Sequence, residues 1–167
     1  RQVSSAASDV YKRQLVNNLS KKLRKKVSIG FRLNPNIDAK THKNISTGKA
    51  ENKFGLSIKN FKVFLKTIKS FKNVKLDALS VHIGSQILND APFRKTLNVM
   101  SKLIKELKLN LKYVDLGGGF GINYTDKEKP INLSKYSKLV HNFSKKLNCK
   151  IIFEPGRSII GNTGLLI

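Results

Sequence analysis

The stretch VDLGGGFGINY, residues 114–124, ends a short apolar run with three consecutive glycines and a fourth one residue later. Glycine inside a regular strand or helix weakens it by about 0.5–1 kcal/mol relative to alanine. Four of them in so short a span answer a geometric need, which is either a tight turn or close approach of backbone N–H groups to an anion. In both cases the apolar run before them reads as a buried strand over 112–116, and the glycines mark where it stops.

The same punctuation recurs on both sides. VSIGFRLNP reads as a strand over 27–33 stopped by Asn34 and Pro35, LDALSVHIG as a buried strand over 76–82, and KIIFEPGR as a strand over 150–154. Between them lie helical stripes: Leu15, Val16, Leu19 and Leu23; Phe61, Phe64, Leu65, Ile68 and Phe71; Phe93, Leu97, Met100, Ile104 and Leu107, begun near Pro92; and Tyr136, Leu139, Val140, Phe143 and Leu147. Residues 36–52 are polar with little periodicity, and GNTGLLI at the end predicts the start of a further strand. Strands beginning near residues 27, 76, 112 and 150, with helices between, are the pattern of βα units in a parallel sheet or barrel. The fold class expected is therefore α/β, a partial (β/α)8 TIM-type barrel. About four βα units make half of an eight-stranded barrel, so the chain reads as the central part of a larger domain.

No low-complexity linker interrupts residues 15–167, which read as one incomplete domain. Residues 1–14, RQVSSAASDVYKRQ, lack the lysine, asparagine and isoleucine bias of the rest and read as a non-native leader. The formal net charge is +23, from 33 basic and 10 acidic residues, which raises nucleic acid as a partner. Against that, only six of the basic residues are arginine, the lysines are scattered over every helix, and no zinc spacing or aromatic RNA-binding signature is present. Weak, non-specific attraction to polyanions is expected, and specific nucleic-acid binding is not. The sequence has no apolar run of the roughly 18 residues a membrane span needs. A lone Cys149 excludes an internal disulfide and fits a reducing compartment, so a cytoplasmic location is expected.

The residues that packing does not explain all fall at the C-terminal ends of the expected strands: Asn34 and Pro35; His82, Gly84 and Ser85; Asp115 and Gly117 to Gly119; Glu154, Gly156 and Arg157. Barrel enzymes carry their chemistry on that face. His82 alone reads more readily as a satisfied core histidine than as a catalytic one. Glu154 ends an apolar strand, which costs several kcal/mol unless a cation or donor meets it. Arg157 is one partner for it, as a plain ion pair; the other reading sets Glu154 on a ligand cation and Arg157 on a ligand anion. A phosphate held by Gly117 to Gly119 and Ser85, a flat aromatic residue and an acid together suit an aromatic, phosphorylated, cationic ligand. Pyridoxal phosphate has that chemistry, with a carboxylate keeping its ring nitrogen protonated.

FRLNPNIDAKTHKNISTGKAENKFGLS, HIGSQI, VDLGGGFGINY and EPGRSIIGNTG, in this order and spacing, resemble the diaminopimelate decarboxylase family, of the alanine-racemase-like barrel class. The resemblance covers residues from about 27 to 167 and implies pyridoxal 5'-phosphate as cofactor. It implies that His82 stacks on the cofactor ring and that Ser85 and the Gly117, Gly118 and Gly119 backbone hold its phosphate. It further implies that Glu154 pairs with the pyridinium nitrogen, that Pro155 and Gly156 shape the loop near the phosphate, and that Arg157 binds a substrate carboxylate. The implied reaction takes carbon dioxide from meso-2,6-diaminopimelate to give L-lysine, in a homodimer. The family's Schiff-base lysine has no match here, since Tyr11 and Lys12 lie in the leader with no strand around them, and the β-rich second domain is missing. The chain by itself is therefore expected to be inactive. Alternatives are a decarboxylase of another basic amino acid or carboxylated polyamine, a non-catalytic cofactor-binding barrel, or a polyanion binder.

Overall fold

The computed structural model describes residues 5–39, 48 and 54–164, with side chains described from residue 14 onward. In chain order the elements are α1 (Ser5–Lys22), β1 (Val27–Asn34), β2 (Leu56–Ser57), α2 (Ile58–Lys69), β3 (Val74–Val81), α3 (Ala91–Glu106), β4 (Tyr113–Asp115), α4 (Leu133–Leu147), β5 (Lys150–Ile152) and α5 (Arg157–Ile160). The strands form one sheet in the order β2-β1-β3-β4-β5, and every neighbouring pair is parallel. Parallel neighbours need a crossover, and helices supply it on the way from β1 to β3 (α2), from β3 to β4 (α3) and from β4 to β5 (α4). This is the expected α/β arrangement of successive βα units.

Local chemistry explains the helices. Ser57 caps α2, its hydroxyl accepting from the Asn60 N–H at 3.2 Å, and the Phe61, Phe64, Leu65 and Ile68 stripe is buried. In α4 the Asn132 side chain accepts from the Lys135 N–H at 2.9 Å, and Asn148 closes the helix in the left-handed region at φ 49°. Pro92 sits in the first turn of α3, where its missing N–H is not needed. Alternation along the strands turns Leu79, Val81 and Val114 under the helices, where each is at most 1% exposed. Fully burying one such apolar side chain is worth about 1.5–3 kcal/mol. The other face of the sheet is open and carries Arg32, Tyr113 and Ile152. Beyond β5 an apolar groove of about 640 Å³ is lined by Tyr136, Val140, Ile151, Phe153 and Ile159.

Several expectations shift. The strands expected over 76–82 and 150–154 close at Val81 and Ile152, so His82 and Glu154 stand just beyond them. The strand expected over 112–116 is Tyr113–Asp115, and Leu116 instead bonds to the Ile152 carbonyl at 3.0 Å. The further strand expected in GNTGLLI is not found at 161–164, which follow α5 as a turn and bend, and 165–167 lie outside the described residues. A two-residue strand, β2, pairs with the end of β1 and has no periodic signal because it is so short. Helix α1 runs unbroken across the boundary expected at residues 14 and 15. Most of the polar stretch over 36–52 lies outside the described residues.

Candidate functional site

The glycine run begins the site. Gly117 and Gly119 have φ of +66° and +95°, a region that glycine enters freely. A methyl group on Gly117 would stand 2.6 Å from the Val81 carbonyl oxygen, on Gly118 2.0 Å from that of Glu154, and on Gly119 2.1 Å from that of Gly84. The run lets β4's end lie directly between the ends of β3 and β5. The Glu154 N–H donates to the Gly117 carbonyl at 2.9 Å and the Ile87 N–H to that of Gly119 at 2.9 Å, which ties three strand ends into one platform.

Two of the three glycine N–H groups are already engaged. The Gly117 N–H donates to Asp115 Oδ1 at 2.8 Å and the Gly118 N–H to His82 Nδ1 at 3.3 Å. The sequence-based expectation of three unpaired N–H groups is corrected by this, because the strand ends approach closely enough to use their neighbours' side chains. Gly119 has no N–H acceptor among the described residues.

His82 is half-buried at the tip of β3. Accepting at Nδ1 leaves the neutral ring's proton on Nε2. Burial pushes its pKa below the usual histidine value and the Arg32 charge pushes it the same way, while Glu154 and Asp115 pull upward. The ring is therefore kept neutral at pH 7. Arg32 lies over the Phe54 ring, 5.2 Å from its centroid, and its guanidinium is 3.5 Å from the His82 carbonyl oxygen. Ser85 is half-buried, and its hydroxyl meets no described neighbour.

Glu154 is exposed, not enclosed, and among the described residues no cation pairs with it. Arg157 does not answer it, so the plain ion pair is not formed. Instead Arg157 NH1 donates to Gln86 Oε1 and to the Tyr124 hydroxyl, each at 3.3 Å. Pro155 and Gly156 join Glu154 to Arg157, and a methyl on Gly156 would meet nothing within 4 Å. Sequence reading missed Gln86, Tyr124 and Arg32. All three lie inside the quoted motifs, which was the available signal, but polar residues in loops announce no partner.

Every residue singled out at the strand ends after β3, β4 and β5 thus comes to one edge of the sheet. Among the described residues no group of three or more His, Cys, Asp or Glu is placed to hold a metal. No described helix is long and apolar enough to cross a membrane. The edge offers a neutral flat ring, an unpaired carboxylate, a free hydroxyl and N–H, and a guanidinium with neutral partners. Groups of these kinds suit a flat, cationic, phosphorylated molecule.

Residues 5–161 match the family model described as the pyridoxal-binding domain of pyridoxal-dependent decarboxylases, and the chain belongs to that family. Its cofactor is pyridoxal phosphate. Among curated proteins the chain is 40% identical over 158 residues to diaminopimelate decarboxylase of Helicobacter pylori, covering 91% of this chain and 38% of that protein. It is 34% identical over 158 residues to the Zymomonas mobilis diaminopimelate decarboxylase, covering 92% and 38%. A crystal structure of the Helicobacter pylori enzyme complexed with L-lysine superposes with a TM-score of 0.79 at 36% identity, over 87% of this chain and 38% of that one. The chain thus spans about two fifths of the length of the relatives it matches.

Proposed function

We propose that the protein carrying this chain is a pyridoxal-phosphate-dependent decarboxylase that converts meso-2,6-diaminopimelate to L-lysine and carbon dioxide. The observation that carries the proposal is the convergence of His82, Ser85, Gly119, Glu154 and Arg157 on one sheet edge, in a chain similar over nine tenths of its length to diaminopimelate decarboxylases. When bound, the cofactor supplies an electron sink for the pair left behind as the carboxylate departs.

The chain's own residues have separate tasks. The His82 ring, kept neutral by burial and by Arg32, offers a flat surface without adding charge against a cationic ring. Glu154 holds a proton at the ring nitrogen, and its exposure and lack of an internal cation leave it free for that. The Ser85 hydroxyl and the Gly119 N–H donate to the phosphate, while Gly117 and Gly118 fix the platform. Pro155 and Gly156 carry the backbone from Glu154 to Arg157, whose guanidinium takes a substrate carboxylate. The proposal includes a cytoplasmic homodimer. It is supported for location by the lone, buried Cys149 and for assembly by the family resemblance.

The test is expression of the full reading frame that contains this segment, with carbon dioxide release and L-lysine measured from meso-diaminopimelate beside other basic amino acids. Lysine formation that Glu154→Ala lowers by two orders of magnitude or more is expected. A protein that binds the cofactor and turns over another amino acid in preference to diaminopimelate overturns the proposal.

A further inference from the structure

Gln86 holds Arg157 through neutral chemistry, and that has a consequence for charge. The Gln86 backbone stands at φ 58°, an uncommon value for a residue with a side chain, and its amide reaches the loop after β4. There the amide makes a two-point clasp on one residue: Nε2 donates to the Ile122 carbonyl, and Oε1 accepts the Ile122 N–H at 3.3 Å. These two contacts fix which end of the amide is oxygen, and that oxygen also accepts from Arg157 NH1 at 3.3 Å. The second partner of NH1 is the Tyr124 hydroxyl, again uncharged.

Arg157 is half-buried, and arginine is the cation most suited to pairing with a carboxylate away from bulk water. Here no carboxylate lies within ion-pair distance of Arg157 among the described residues, and both side-chain contacts of the guanidinium are made by one nitrogen. We infer that Gln86 is a positioning residue: it pins Arg157 by NH1 while leaving its full positive charge and its remaining N–H donors facing outward for the carboxylate of a diacid ligand. A glutamate at this position would fit the same space, yet would cancel the charge that the ligand needs and would repel the Ile122 carbonyl. This deepens the decarboxylase reading and rests on it for the identity of the diacid.

The experiment uses the full-length protein with the wild-type, Gln86→Glu and Gln86→Leu sequences, and pimelate as an unreactive diacid probe. Pimelate binding is measured by calorimetry, thermal melting reports folding, and kcat and KM are measured with diaminopimelate. The expected result is pimelate affinity and 1/KM lowered about tenfold or more by Gln86→Glu and several-fold less by Gln86→Leu, with kcat changed far less than KM. A merely structural glutamine predicts equal losses in the two variants, tracking their melting temperatures, and that result overturns the inference. So does a wild type that does not bind pimelate. If pimelate binding responds as expected but diaminopimelate is not decarboxylated, the positioning role stands and the proposed function falls.

Discussion

Replacing Asp77 by asparagine tests whether a charge hidden in the sheet is held by the partners the structure gives it. Asp77 is the extra residue where the β1–β3 register shifts between Ile29 and Gly30. Its side chain is 4% exposed, whereas those of Lys75 and Lys112, at 2.9 and 3.4 Å, are 61% and 60% exposed. The Ser28 hydroxyl, donating at 2.6 Å, and then Lys75 hold the carboxyl down at about 2 against an ordinary 3.8; burial opposes them, and Lys112 adds a smaller push downward. Because the folded value is depressed, the stabilisation is complete above the unfolded value of 3.8 and is lost as pH falls through about 2. The difference corresponds to about 2 kcal/mol at neutral pH and about half of that near pH 3. Asparagine keeps the shape but cannot ionise. The stability gap between the full-length wild-type and Asp77→Asn proteins, measured by urea denaturation, should therefore shrink by about 1 kcal/mol between roughly pH 5 and 3. A gap that stays constant over that interval would show that Asp77 is not held ionised by these partners, because any cost of the buried amide itself does not depend on pH.

Two further outcomes follow from the strand-end platform. Gly118→Ala places a methyl 2.0 Å from the Glu154 carbonyl oxygen, so the end of β5 must move; a loss of about 1–3 kcal/mol or more is expected in thermal melting. Gly164→Ala, with nothing within 4 Å, is the matched control and should leave the melting temperature within error. NMR titration should place His82 below the ordinary histidine value of 6.5, and Arg32→Ala should move it upward by removing a nearby positive charge. Since the folded pKa is depressed, His82 contributes stability that is present above about 6.5 and declines as pH falls through the folded value. An upward-shifted His82 signal in the wild type would contradict the burial and charge assigned to it.

The four long helices, four of the five strands and the side of the sheet on which chemistry gathers were legible in the sequence. Hydrophobicity is a property of each residue, so the Phe61, Phe64, Leu65, Ile68 stripe and the run before Gly117 announce their faces through local period alone. The motifs at the ends of β3, β4 and β5 fall on one side because successive parallel strands point the same way. Which polar group meets which is set by the tertiary fold. Arg157 follows Glu154 by three residues and reads as its partner, yet it reaches Gln86, 71 residues earlier. Gly117 to Gly119 read as an anion cradle, yet two of their N–H groups go to Asp115 and His82, and their missing side chains make room for carbonyls on neighbouring strands. Asp77 gave no signal at all, since its burial depends on a register shift between two strands. Such pairings are set by register and by the approach of strand ends, to within a few tenths of an ångström, and no local pattern in the chain carries that information.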